Sequence, residues 1–147
     1  MRKTTLPFIR FMRYLAVLPL LLCLWGGCSM LKARFDPVGQ QYAVTIKEEA
    51  LALMDKAGES FSLYRLDVYR LMTRVERAYE HARLKYKNEG VAGIWDVMRS
   101  LEGNRLARFM LDWEKEDILD DTYIKEAKKL LTESFNLLIK IEESKEK

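Results

Sequence analysis

The strongest constraint on the fold is an apolar stripe that keeps a helical period from residue 46 to residue 82. Its members recur three or four positions apart, with an average spacing of about 3.6, which describes one face of an α-helix. A glycine at position 58 does not shift the phase, and within a helix it costs only about 1 kcal/mol relative to alanine. We therefore predict one helix over about 41–87, on the order of 70 Å long. The stripe consists of Ile46, Ala50, Leu53, Ala57, Phe61, Tyr64, Val68, Leu71, Val75, Ala78 and Ala82.

A hairpin that turns at Gly58 to Ser60 is the alternative interpretation of the same stripe. The scarcity of helix breakers favours the single helix, because the chain has only 7 Gly and 3 Pro, and two of the prolines fall within the first twenty residues. A helix of that length exceeds the diameter of a compact body of this size, so we expect an elongated shape.

The remainder of the chain predicts three shorter helices. Asparagine and glycines near residue 90 end the long helix, and two short helices follow at about 91–101 and 104–113. A last helix is expected over about 121–143, with Asp120, Asp121 or Thr122 as its N-cap. The predicted class is all-α, with residues 41–147 forming an elongated helical bundle built on the long helix. The apolar face of the last helix comprises Ile124, Ala127, Leu131, Phe135 or Ser134, Leu138 and Ile141.

The N-terminal region has the pattern of a targeting segment. Its first 13 residues contain four basic side chains and no acidic one. The apolar run YLAVLPLLLCLW follows from Tyr14 to Trp25, and its 12 residues fit the core of a signal peptide. This run alone is shorter than the ~20 residues that a membrane-spanning helix needs.

The sequence LWGGC, which ends at Cys28, resembles the lipobox of bacterial lipoprotein signals. In that family, small residues precede an invariant cysteine that is diacylated on its sulfur before cleavage frees its amine. The resemblance implies cleavage between Gly27 and Cys28, and a lipid on Cys28. Trp25 departs from the family pattern, which usually has leucine at that place.

This resemblance also implies the organisation and location of the chain. Residues 1–27 are the expected signal peptide, and residues 28–40 form a lipid-anchored tether before the helical domain. An aspartate directly after the lipidated cysteine usually keeps a lipoprotein in the inner membrane, and here that place is taken by Ser29. The implied location is therefore the outer membrane of a bacterial envelope, facing the periplasm, in preference to the inner membrane.

Two alternatives to lipidation stay open. The first is an uncleaved membrane anchor, because the uncharged stretch between Arg13 and Lys32 is 18 residues long. The second is simple secretion. The cysteine content favours the lipid, because Cys23 would leave with the signal peptide and Cys28 would be the single thiol remaining in an oxidising compartment.

The charge distribution argues against nucleic acid as a partner. The whole chain has a formal net charge of +3, but the basic N-terminal segment accounts for this excess. The remainder lacks the basic surplus that phosphate neutralisation requires. Within it, residues 61–87 hold seven basic and three acidic side chains, whereas residues 109–123 hold six acidic side chains and one lysine. This contrast favours internal docking of the two segments, and a basic face for an acidic protein, anionic lipid or surface polymer is the alternative.

The sequence offers no recognisable catalytic or cofactor-binding set. His81 is the only histidine, and no second helix supplies the repeated Glu-x-x-His pattern of a di-metal site. We expect it to face solvent. The glycines match no phosphate-binding motif, and the acidic stretch lacks the spacing of a calcium loop. The predicted function is a non-catalytic interaction or scaffold module without metal or cofactor, held at the membrane by Cys28 and binding a protein partner. A small-ligand-binding or metal-binding bundle is the alternative.

Overall fold

Residues 33–146, the part of the chain that this computed structural model describes, contain helices and no strand. A short 3-10 turn, Phe61–Leu63, lies between the first two α-helices. The predicted all-α class is therefore confirmed. The helices are α1 (Pro37–Met54), α2 (Arg65–Arg83), α3 (Glu89–Arg99), α4 (Leu106–Glu116) and α5 (Asp121–Lys145).

Four of the helices form an up-and-down bundle. Helix α1 packs against α2 and α5, while α3 packs against α2 and α5. Helix α5 runs antiparallel to α1, because Asp36 contacts Glu142 at one end and Asp55 contacts Lys128 at the other. We call the first of these the entry end, since the described chain enters the bundle at Asp36. The other is the cap end, where α4 packs against the 3-10 turn.

The predicted single helix over 41–87 is wrong, and the hairpin alternative is correct. Helix α1 ends at Met54, the chain turns through residues 55–64, and α2 begins at Arg65. The two helices have 18 and 19 residues, so each is only about 30 Å long. Residues 37–40, which the sequence assigns to the tether, already belong to α1.

Tertiary hydrogen bonds explain why the helix stops. The backbone N–H of Phe61 donates to the carbonyl of Asp117 at 2.9 Å, and the N–H of Leu119 donates to the carbonyl of Ala57 at 2.8 Å. Backbone groups of the turn thus bond to the segment after α4 instead of to a continuing helix. The local sequence favours a helix here, and these distant contacts override it.

The stripe residues nonetheless lie in the core. Ile46, Ala50 and Val75 are completely inaccessible to solvent, while Leu53 and Tyr64 are partly buried against the same core. Both halves of the stripe face inward after the chain reverses. Helical periodicity therefore identifies the buried residues correctly even though it gives the wrong connection between them.

The helices after the hairpin follow the prediction more closely. Helices α3 and α4 overlap the expected ranges, and α5 begins at the predicted residue 121. Asp120 is its N-cap, because its Oδ1 accepts hydrogen bonds from the backbone N–H groups of Thr122 at 2.8 Å and Tyr123 at 3.2 Å. The predicted apolar face of α5 is also confirmed, with Leu131, Phe135 and Leu138 buried.

Two glycines give a stability prediction with opposite signs. A Cβ added at Gly103 would lie 1.9 Å from the carbonyl oxygen of Val97, whereas one added at Gly93, inside α3, meets nothing within 4 Å. We expect Gly103→Ala to lower the free energy of unfolding by about 1–3 kcal/mol, because the backbone must move. Gly93→Ala should raise it by about 0.5–1 kcal/mol through helix propensity. Denaturant unfolding of the full-length protein in a non-ionic detergent measures both, and equal effects would contradict the close approach at Gly103.

Candidate functional site

The entry end contains a buried polar cluster to which all four helices of the bundle contribute. The residues come from the start of α1, the C-terminal part of α2 and the connection after it, the start of α3, and the last turn of α5. Three of them, Asp36, Asn88 and Glu142, are the buried polar residues of the described chain, and Glu142 is only 1% exposed. The entry cluster, as we call it, consists of Asp36, His81, Lys85, Asn88, Glu142 and Lys145.

One half of the entry cluster is centred on the Asp36 carboxylate. His81 Nε2 lies 2.6 Å from Asp36 Oδ2, and Lys85 Nζ lies 3.7 Å from the same oxygen. Burial alone would raise the pKa of Asp36, but the backbone N–H of Gly39, the His81 hydrogen bond and the positive charges of His81 and Lys85 outweigh it. The pKa of Asp36 is therefore lowered below its usual value of 3.8, and the carboxylate is ionised at neutral pH.

The other half is a buried ion pair within the last turn of α5. Lys145 Nζ donates to Glu142 Oε1 at 2.6 Å and to Asn88 Oδ1 at 2.5 Å. Asn88 Nδ2 in turn donates to the carbonyl of Ala82 at 3.3 Å. The two halves meet where the backbone N–H of Asp36 donates to Glu142 Oε2 at 3.3 Å. The entry cluster thereby connects the ends of four helices through partnered polar groups.

The expectation that His81 faces solvent is wrong. Its side chain is only 25% exposed, and its ring contacts the edge of Tyr42 at a centroid distance of 5.7 Å. The hairpin explains the difference, because it folds the end of α2 back beside the start of α1. On a continuous helix, residues 36 and 81 would lie on the order of 65 Å apart.

The chemistry that the entry cluster can perform follows from its partners. A carboxylate beside an imidazole can orient a general base, but catalysis also needs a nucleophile or a bound water within reach. No serine, threonine or cysteine side chain of residues 33–146 hydrogen-bonds to His81. Within the same range, no three histidine, cysteine or acidic side chains converge on a potential metal position.

A second feature is an open groove of about 400 Å³ between α1 and α2. Its apolar lining includes Leu53 and Leu71, and charged side chains stand at its rim. An ion pair between Glu49 and Arg74 bridges the two helices beside it. The groove exists only because the stripe is folded into a hairpin, so periodicity alone could not indicate it.

The two charged segments do not pair as the sequence suggests. In the part of the chain that the structure describes, Arg70, Arg74, Arg83 and Lys85 of the basic segment 61–87 pair with Asp67, Glu49, Glu80 and Asp36, none of which belongs to the acidic segment 109–123. The two segments contact each other through hydrogen bonds and through aromatic packing of Trp113 against Phe61 and Tyr64. Asp117 Oδ1 accepts from the Ser60 hydroxyl at 2.8 Å and from the Phe61 backbone N–H at 3.1 Å. The acidic segment therefore docks on the turn before α2.

Comparison with protein-family models finds no match for the chain, and no curated protein or solved structure matches it either. The predicted signal peptide, the Gly27–Cys28 cleavage site and the lipidated Cys28 lie outside the described residues. Within the described part, no helix combines the length and the apolar composition needed to cross a bilayer. The described part of the chain is thus a four-helix bundle, and its best-defined site is the buried ionic cluster at one end.

Proposed function

We propose that this chain is a lipid-anchored protein of the bacterial envelope, whose helical bundle acts as a non-catalytic interaction or scaffold module. The observation that carries the proposal is the lipobox-like LWGGC sequence a few residues before the bundle begins. At ~3.4 Å per residue, the chain from Cys28 to Asp36 spans at most about 27 Å. A lipid on Cys28 would hold the entry end close to the bilayer.

The entry cluster supports a non-catalytic role. Its buried carboxylates and its buried lysine bond to other members of the cluster or to the backbone of the bundle. Groups held in this way fix the relative positions of helix ends and are not directed at a substrate. Their arrangement suits a domain that must keep its shape beside a membrane anchor.

The proposed location is the outer membrane, with the bundle in the periplasm. Support comes from Ser29, which stands directly after Cys28 where an aspartate would favour retention in the inner membrane. Fractionation of a Gram-negative host on a sucrose gradient tests this location. Recovery of the protein with inner-membrane markers would contradict it.

Binding of a small apolar ligand is a second candidate function. The groove between α1 and α2 favours it, because about 400 Å³ lies within the range of ligand pockets and the lining includes leucine side chains. Native mass spectrometry of the full-length protein in a non-ionic detergent would detect a bound molecule. Its loss from Leu53→Arg would support this function, and an unliganded wild-type mass would count against it.

The lipid anchor is tested with the two cysteines of the chain. Metabolic labelling with a fatty-acid analogue should tag the wild type and Cys23→Ala but not Cys28→Ala, because only the second substitution removes the acceptor sulfur. Cys23→Ala is the matched control, since it makes the same change in the same N-terminal region. The intact mass of the tagged protein should correspond to a chain that begins at Cys28.

Three outcomes would reject the lipid anchor on Cys28 in distinguishable ways. Label that persists on Cys28→Ala would mean that the lipid is attached elsewhere. A purified membrane-bound protein that still carries residues 1–27 would favour the uncleaved anchor. An untagged protein released from the cells would instead favour simple secretion.

A further inference from the structure

The start of α4 carries a buried side-chain nitrogen without a hydrogen-bond partner. It is Nε of Arg105, the residue that precedes α4. Within residues 33–146, the guanidinium makes one hydrogen bond, from Nη1 to the carbonyl of Asn104 at 3.1 Å, and it forms no ion pair. A buried N–H without a partner costs free energy, so a native protein normally supplies such a group with a ligand, an ion or a water molecule.

The unused part of this guanidinium has the geometry of a carboxylate receptor. An arginine side chain is planar and holds its five N–H donors in a fixed arrangement. Because Nη1 bonds to Asn104, the parallel N–H groups of Nε and Nη2 on the other edge of the guanidinium remain available as a pair. We call this pair of donors the Arg105 fork. Two parallel N–H groups match the two oxygens of one carboxylate.

Arg105 lines a small cleft between the last residue of α1, the start of α4 and the first half of α5. The cleft has a volume of about 100 Å³, which is roughly the space that three water molecules occupy in the liquid. Apolar side chains form much of its wall, among them Met54, Phe109 and Leu131. The cleft shares no residue with the entry cluster or with the lining of the groove between α1 and α2. A few polar donors in a mostly apolar cleft are typical of a site for a small organic molecule.

The charges around the cleft favour a ligand with a single negative charge. Glu126 also lines the cleft, but this side chain is exposed and does not pair with Arg105. Its carboxylate disfavours a ligand with two negative charges. The Tyr123 hydroxyl donates to Asp112 at 2.8 Å, and burial together with this hydrogen bond raises the pKa of Tyr123 to about 12, so the phenol is neutral. The start of α4 has no side-chain cap, and the N–H groups of an uncapped first turn favour negative charge.

We propose that the cleft binds a small monocarboxylate with a short aliphatic chain. The carboxylate accepts two hydrogen bonds from the Arg105 fork, and the chain packs against Met54, Phe109 and Leu131. The small volume of the cleft limits this chain to a few carbon atoms. The site does not depend on the lipid at Cys28, so this proposal and the proposed function can fail separately.

A series of straight-chain carboxylates measures both the charge preference and the size of the site. Acetate, propanoate, butanoate and hexanoate are titrated separately into the full-length protein in a non-ionic detergent, and ligand-observed NMR gives each dissociation constant. Each methylene that enters the cleft should tighten binding by about fourfold. We expect this gain up to butanoate and none from butanoate to hexanoate, because the cleft is then full. Butanamide has the same chain without the charge, and its binding should be weaker than that of butanoate by about tenfold or more.

Substitutions at the cleft localise the bound anion. Arg105→Gln removes the fork and its charge, and it should weaken butanoate binding by about tenfold or more. Arg77→Gln is the matched control, because Arg77 is exposed on α2 and does not line the cleft, so butanoate binding should be unchanged. Arg105→Lys keeps the charge without the fork and should give an intermediate loss. Ala127→Leu fills the cleft from α5 and leaves Arg105 in place, so it should weaken binding even if Arg105→Gln fails to fold.

Three results would overturn the proposal. Absence of saturable butanoate binding by the wild type would leave the Arg105 fork to solvent alone. Equal dissociation constants for butanoate and butanamide would show that the site does not recognise a carboxylate. Equal weakening of butanoate binding by Arg105→Gln and Arg77→Gln would assign the anion to the positive charge of the surface in general and not to the cleft.

Discussion

Replacing Trp113 with alanine should lower the free energy of unfolding by about 3–5 kcal/mol. Trp113 is completely buried, and its ring packs against Phe61 and Tyr64 at centroid distances of 5.5 and 5.7 Å. Its Nε1–H donates to the carbonyl of Glu59 at 3.0 Å. The side chain thus attaches α4 to the connection between α1 and α2, so its removal leaves both a cavity and an unpaired carbonyl.

Two substitutions separate these contributions. Trp113→Phe keeps much of the ring volume but removes the hydrogen bond, so we expect a smaller loss than for Trp113→Ala. Tyr69→Ala removes an aromatic ring that is 70% exposed and should change stability by less than about 0.5 kcal/mol. Denaturant unfolding of the full-length protein in a non-ionic detergent, followed by far-ultraviolet circular dichroism, gives all three values. A loss below about 1 kcal/mol for Trp113→Ala would mean that α4 is not an integral part of the fold.

Breaking the buried ion pair of α5 should have an effect of similar size. Glu142→Leu removes a carboxylate that is 1% exposed and leaves Lys145, with a side chain only 8% exposed, without its counter-charge. An unpaired buried charge typically costs about 3–5 kcal/mol. The double variant Glu142→Leu with Lys145→Met replaces both charges by apolar groups. It should recover most of the loss, because no unpaired charge remains.

The pair Glu80 and Arg83 is the matched control for this prediction. It has the same spacing of three positions along a helix, but its side chains are 42% and 51% exposed. Glu80→Leu should therefore cost less than about 1 kcal/mol. Equal losses for Glu80→Leu and Glu142→Leu, or a double variant as unstable as the single one, would show that burial does not determine the contribution of the pair.

Sequence periodicity predicted which residues are buried but not how the chain reverses. The stripe continues in phase through Ala57 and Phe61, which lie in the turn. Their side chains are buried in the same core that they would have faced from a continuous helix. Gly58 gives no local sign of the reversal, since its φ is not in the left-handed region. What ends α1 is hydrogen bonding to Asp117 and Leu119, about sixty positions away in the sequence.

The prediction that His81 faces solvent is wrong for the same reason, the unpredicted reversal of the chain. A histidine on a straight helix has only its neighbours three and four positions away as partners. Its actual partner, Asp36, lies 45 positions earlier and becomes adjacent only in the hairpin. By contrast, the N-cap and the apolar face of α5 depend on local sequence. Asp120 is one of the three N-cap candidates that the sequence offers, and the predicted apolar face is confirmed.

Pairing of the first helix with the last one has a consequence for how the protein is made. The hydrogen bond from the Asp36 backbone to Glu142 joins residues 106 positions apart, and closing so long a loop comes at a cost in chain entropy that nearer contacts do not carry. Until the ribosome has released α5, the inward face of α1 lacks its longest neighbouring helix. The bundle can therefore close only after synthesis has proceeded through α5.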